Sequence, residues 1–155
     1  MAHIHEKIDY TVEVFCVFKN KVLLRMHDKY GMWLSVGGHV ELYEDPNEAA
    51  VREVKEEVSL DVVELTGSPK PPIKGDPIYR ELIPPRYMNR HGIGVAGHEH
   101  ISLVYFARVA SDAVKTEKVS DVVRWCTLEE VEMNALGLKE DVQWYARTAL
   151  QELAS

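Results

Sequence analysis

The stretch "GGHVELYEDPNEAAVREVKEEVSL", residues 37–60, decides how the rest of the chain is read. It opens on adjacent glycines, crosses a polar loop and then carries a strong helix start. Asp45 stands as N-cap, Pro46 takes the first helical position, and Glu48 completes a capping box. Ala50, Val54 and Val58, with Val51, give that helix an apolar stripe. Beside the stripe lie Glu53, Glu56 and Glu57. At about 100° per residue they spread over an arc of roughly 100°. Positions three and four apart hold their β-carbons about 5–6 Å from each other, so like charges there repel by about 0.2–0.5 kcal/mol per pair. A divalent cation removes that penalty, and Mg²⁺ takes carboxylate oxygens together with waters and substrate phosphates. A solvated, charged helix face is the plainer alternative. Two features weigh against it: Glu57 borders the apolar stripe, and Gly38 and Glu44 precede the helix at a spacing that a charged face does not require.

Outward from this helix the chain alternates between strand and helix patterns. "TVEVFCVF" (11–18) reads as a buried strand, and "KVLLRMH" (21–27) as a second one paired back on it across the turn at 19–20. A short extended piece, "MWLSV", leads to Gly37-Gly38. "LDVVELTG" (60–67) and "EHISLVYFARVA" (99–110) read as further strands. "VVRWCTLEEVEMNAL" reads as a strand running into a helix capped by Thr127 and Glu130. Near the C-terminus, Leu138, Val142, Tyr145, Ala149 and Leu153 mark a helix laid on the sheet. Strands interleaved with two long helices imply an α/β fold, a mixed sheet between helices in one domain spanning 1–155.

Composition narrows the class. The chain has 155 residues, a formal net charge of −7 and 46% hydrophobic residues, an ordinary balance for a globular protein. Its acidity repels a phosphate polymer, which argues against a nucleic-acid binder, yet a cation held among carboxylates would still admit a small phosphorylated ligand. No apolar run approaches the roughly 18 residues of a membrane span. The N-terminus, "MAHIHEKIDY", lacks the pattern of a secretory signal. Cys16 and Cys126, the two cysteines, fall in apolar strands and read as buried free thiols, consistent with a cytoplasmic setting.

Residues 68–100 differ from the rest. They hold six of the seven prolines and four of the nine glycines, and five Lys/Arg (Lys70, Lys74, Arg80, Arg86 and Arg90) against three acids. A connection this long reads as functional or disordered, and its positive balance favours a lid or wall, at about 68–98, that meets an anion. "GHEH" (97–100) invites comparison with a zinc site. The two histidines alternate along a strand with no cysteine nearby, and zinc is not expected.

Gly38, five residues, Glu44, seven residues, then "REVKEEVSL" (52–60) resembles the box of the Nudix hydrolase family, G-x5-E-x7-R-E-U-x-E-E-x-G-U with U aliphatic. Gly38, Glu44, Arg52, Glu53, Glu56 and Glu57 match by identity, and Val54 and Leu60 fill aliphatic slots. Six such matches arise by chance in a chain this long with a probability on the order of 10⁻⁵. The departures are Ser59 in place of the box glycine, and Val36 and Leu42-Tyr43 where glycine and proline are common. If residue 59 is left-handed, serine there costs up to about 1–2 kcal/mol relative to glycine, which leaves the carboxylates alone.

The resemblance implies a Nudix-like α/β/α sandwich. It also implies Mg²⁺- or Mn²⁺-dependent cleavage of a nucleoside diphosphate linked to another group. It assigns metal roles to Glu53, Glu56 and Glu57, together with the Gly38 carbonyl. Arg52 and Glu44 would orient the carboxylates. Glu53 and Glu99 are alternatives for the general base, with Glu53 preferred. Arg25, Arg86 and Arg90 are expected on phosphate oxygens, and Trp33 and Tyr87 stacked on a base. The plainer alternative makes Trp33 core, Tyr87 packing and the arginines solvated. The expected partner is a small-molecule nucleotide, with no nucleic-acid polymer and no membrane, the chain being a monomer or homodimer. The alternative function is a non-catalytic module that senses ADP-ribose or a similar nucleotide. Such a module does not need all three carboxylates. An isoprenoid diphosphate isomerase would need a Cys and Glu pattern that the chain does not show.

Overall fold

A computed structural model describes residues 6–66 and 78–155. The strands are β1 (Ile8–Phe18), β2 (Lys21–His27), β3 (Met32–Leu34), β4 (Val36–His39), β5 (Val62–Thr66), β6 (Tyr87–Gly92), β7 (Glu99–Val109) and β8 (Val123–Thr127). The helices are α1 (Pro46–Val58), α2 (Leu128–Met133) and α3 (Glu140–Leu153). The fold is α/β, one mixed sheet built around β1 and β7, which run parallel from Ile8↔Glu99 to Val17↔Arg108. On its other edge β1 pairs with β4 over Thr11–Val14 and with β2 at Val17 and Phe18. β7 pairs with β6 over its first half and with β5 over its second.

Alternation along β1 sorts the two faces. Val12, Val14 and Cys16 join Ala49, Ala50, Val54 and Val58 of α1 in one core cluster. Phe15 and Val17 join Val142, Ala146, Ala149, Leu150 and Leu153 of α3, with Val131 of α2, in the other. Both cysteines are buried and free, as their apolar setting implied.

The capping boxes form as the sequence implies: Asp45 accepts from the Glu48 N–H while Glu48 accepts from the Asp45 N–H, and Thr127 and Glu130 do the same for α2. Ser59 caps α1 at φ 57°, ψ 25°, the left-handed conformation that favours glycine.

Three expectations are corrected. In α1 it is Ala49 that is buried, while Val51 stays 43% exposed. The buried set Ala49, Ala50, Glu53, Val54 and Val58 places the face near Glu53 and Glu57, roughly 100° from Val51. Second, the extended piece does not stop at the double glycine; β4 runs through it to His39. Third, the segment read as a lid at 68–98 is partly regular. Residues 87–92 are strand β6, and 78–86 are tied to α1 where the Asn47 amide bonds the Ile83 carbonyl and N–H. Lys70 and Lys74, with the rest of 68–77, lie outside the described residues. Among the described residues, no helix is long and apolar enough to cross a membrane.

Candidate active site

The glutamates of α1 meet the sheet where β4 has no side chains. A β-carbon on Gly38 would lie 2.3 Å from Glu53 Oε1, and one on Gly37 would lie 2.0 Å from the Val12 carbonyl oxygen. The first glycine admits a carboxylate, and the second lets β4 pack against β1. The Gly37 N–H donates to Glu57 Oε2 at 3.1 Å.

Two arginines hold the carboxylates. Arg52 donates from Nε and NH2 to both oxygens of Glu44, at 2.9 and 2.6 Å. Its NH1 donates to Glu53 Oε1 and Glu56 Oε2, both at 2.9 Å, and NH2 also reaches the His39 carbonyl at 3.0 Å. Arg25, from β2, sits 3.3 Å from Glu57 Oε1 and 3.7 Å from Asp121. The three glutamates are therefore not bare like charges: two guanidinium groups offset part of their charge, Arg52 pairing with Glu53 and Glu56 as well as Glu44, and Arg25 with Glu57, and the cluster keeps a net negative charge. The bidentate grip of Arg52 on Glu44 fixes the fork from which the other bonds project. It also holds the Glu44 carboxyl below the usual range. Burial raises the pKa of Glu53, against the opposing pull of Arg52. Burial also pushes Glu57 up to about 7, with the Gly37 N–H and Arg25 acting in the other direction. Glu53 and Glu57, shielded and well oriented, with the exposed Glu56 beside them, suit a hard cation.

On the α3 side of the sheet a cavity of about 620 Å³ opens beside this cluster. Arg25, Gly37, Gly38 and Glu57 form part of its wall, and Glu13, Tyr30, Ser102 and Asp141 also line it. Glu13 is the one acid in an otherwise apolar strand core, and that anomaly was its signal in the sequence. Burial, then the charge of Asp141, raises its pKa to about 7, while hydrogen bonds from Asn89 and Ser102 pull the other way. Tyr30, within the turn that ends at Gly31, stacks on His27 with ring centroids 4.5 Å apart.

Of the residues expected to touch substrate, the structure brings Arg25 to this cavity. Trp33 packs against the α3-side core instead. Arg86 pairs with Glu152 of α3 at 2.8 Å and lies over the Tyr87 ring. Tyr87 packs among Phe106, Trp144 and Tyr145. Arg90 is exposed, 3.8 Å from Glu99, whose carboxylate also sits 3.5 Å from Lys7. Trp33, Arg86, Tyr87, Arg90 and Glu99 are outside the cavity wall. Packing against the α3-side core holds Trp33 and Tyr87, and the ion pair with Glu152 holds Arg86.

The Nudix domain model matches residues 9–149, and the chain belongs to the Nudix family. A Nudix-family hydrolase from Clostridium perfringens is 32% identical, with a TM-score of 0.79 over 93% of this chain and 97% of that one. The MutT Nudix hydrolase from Burkholderia pseudomallei shares the fold at 18% identity and a TM-score of 0.65, over 96% of this chain and 100% of that one. The Nudix domain of Shewanella oneidensis NrtR, solved with ADP ribose, does so at 16% identity and a TM-score of 0.62, covering 97% of this chain and 89% of that domain. Comparison with curated proteins returned no match.

Proposed function

We propose that the chain is a Mg²⁺-dependent pyrophosphohydrolase that opens a diphosphate linkage in a nucleoside di- or triphosphate or a nucleoside diphosphate derivative. The observation that carries this reading is the set Glu53, Glu56 and Glu57, oriented by Arg52 and Arg25, with Glu57 and Arg25 in the wall of a cavity of about 620 Å³. Glu53, Glu56 and Glu57, with the Gly38 carbonyl, would hold Mg²⁺, for which Mn²⁺ could substitute; the cation neutralises diphosphate charge and lowers the pKa of a water. Water attacks phosphorus and the P–O bond to the leaving phosphate breaks. Arg52 keeps the carboxylates fixed, and Arg25 offers a guanidinium to phosphate oxygens at the wall. Glu53 is favoured over Glu99 as the proton acceptor, because Glu53 stands in the arginine-held cluster while Glu99 faces Lys7 and Arg90. Glu13 and Asp141, which also line the cavity, offer hydrogen bonds to a base edge.

The test is phosphate and pyrophosphate release across a panel of nucleoside triphosphates, oxidised guanine nucleotides, ADP-ribose, sugar nucleotides and dinucleoside polyphosphates, with and without Mg²⁺. Turnover that requires the metal is expected. Nucleotide binding with no release for any member would instead support a sensing module. Comparing E53Q with E99Q at saturating Mg²⁺ decides the base, and a negligible loss at Glu53 would reverse the preference.

A further inference from the structure

A second polar cluster forms on the far side of His39 from the glutamates, and it draws on four strands and a turn. Register places Asp9 of β1 beside His100 of β7, and His91 of β6 opposite the same His100. β4 ends at His39. The turn between β6 and β7 passes through Gly97 at φ +75°, which swings His98 back over the start of β1. His98 Nε2 then lies 2.8 Å from Asp9 Oδ2, and His39 Nε2 lies 3.4 Å from the same oxygen. The rings of His39, His91 and His98 surround that of His100 at centroid distances of 5.0, 5.5 and 5.7 Å.

Hydrogen bonding within the cluster is incomplete. His100 Nε2 is buried and has no hydrogen-bond partner. A buried ring nitrogen left that way carries a desolvation cost that a bonded ligand would recover. The donor atoms of Asp9, His98 and His100 all lie within 4.8 Å of one another. Ligands about 2.0–2.2 Å from a tetrahedral ion sit about 3.3–3.5 Å apart, so modest side-chain rotations close the gap.

We propose that Asp9, His98 and His100 form a binding site for a divalent transition-metal ion of the Zn²⁺ class, with His39 completing its fourth side. Two imidazoles and one carboxylate select for zinc, nickel or copper over magnesium and calcium, which prefer all-oxygen sites. The ion here would therefore differ in kind from the one the α1 carboxylates suit. His91, whose Nδ1 is 2.8 Å from Asn89 Oδ1, stands in the next layer and braces His100. Since His39 follows Gly38 directly and His39, His91 and His100 all line the cavity, the ion would fasten β1, β4 and the β6–β7 turn into one wall. This revises the expectation for "GHEH": the missing ligands come from Asp9 and His39, which no local motif contains.

Isothermal titration of the chelator-treated full chain with ZnCl₂, in millimolar Mg²⁺, tests the proposal by metal binding alone, apart from any nucleotide activity. One ion per chain, binding at micromolar concentration or tighter and unaffected by E57Q, is expected. The H98A/H100A double variant should weaken binding at least 100-fold. D9N, a partly exposed isosteric change whose fold is checked by circular dichroism, should weaken it at least tenfold. Co²⁺ in place of Zn²⁺ should give visible absorption bands of a four-coordinate site that are lost in the same variants. Absence of stoichiometric binding, binding unchanged in D9N and H98A/H100A, or binding abolished by E57Q would each overturn the assignment.

Discussion

The two polar clusters that flank Gly38-His39 are built in opposite ways. The glutamates come from two turns of one helix, and their neighbours Arg52 and Glu44 lie in the same 24-residue stretch. The imidazoles come from β4, β6, β7 and the turn before it, with Asp9 from β1. The first cluster has its charge partly offset by guanidinium groups and leaves oxygens to a hard cation. The second has nitrogen donors and an orphaned ring atom. The difference teaches that helical periodicity can build a site within one element, whereas a strand-borne site exists only if several registers agree.

Breaking the helical cluster should give the largest effect. E57Q removes a buried carboxylate that also takes the Gly37 N–H and Arg25, and metal-dependent turnover should fall by about 10³-fold or more with the fold retained. Steady-state rates against Mg²⁺ concentration check this, and near-normal rates would remove Glu57 from the metal set. The adjacent glycines come next, and they separate support from chemistry. G37A drives a β-carbon into the Val12 backbone, so the urea midpoint should drop by the equivalent of about 1–3 kcal/mol. G38A meets only the tip of Glu53, so it should keep its midpoint and lose about 10–100-fold in rate.

A smaller, pH-dependent effect sharpens the contrast with the cavity floor. Glu13 has a folded pKa raised from 4.5 to about 7, so the folded state binds more protons than the unfolded chain between those values. Its contribution is fully present below about pH 4.5 and is lost as pH rises through about 7. E13Q should therefore match the parent near pH 4.5 and exceed it by about 1–3 kcal/mol at pH 8, as read from thermal or urea unfolding at each pH. Smallest of all, S59G relieves a left-handed serine at φ 57° and should add about 0.5–1 kcal/mol without changing turnover.

Much of this was legible before the fold was known, and the misses share a cause. Capping at Asp45 and Thr127, the α1 and α3 stripes and the cysteines' burial all follow from short-range pattern. Val51 was misplaced because the apolar residues alone set the stripe, while the true buried face includes Glu53. Trp33, Arg86 and Tyr87 were expected on substrate because they flank the motif or sit in a basic segment. Packing against α3 claims Trp33 and Tyr87, and Glu152 claims Arg86.

By itself, then, the sequence determined the helix that carries the carboxylates, its cap, the alternation that makes two cores and the family to which the chain belongs. Only the tertiary structure decided that Glu13 lines a cavity, that Arg25 reaches Glu57, and that four histidines and Asp9 meet at one rim. The physical reason lies in range. A helix places its side chains by its own 3.6-residue turn, fixed within the segment. Convergence across strands waits on pairing partners and register, which no single strand's pattern specifies.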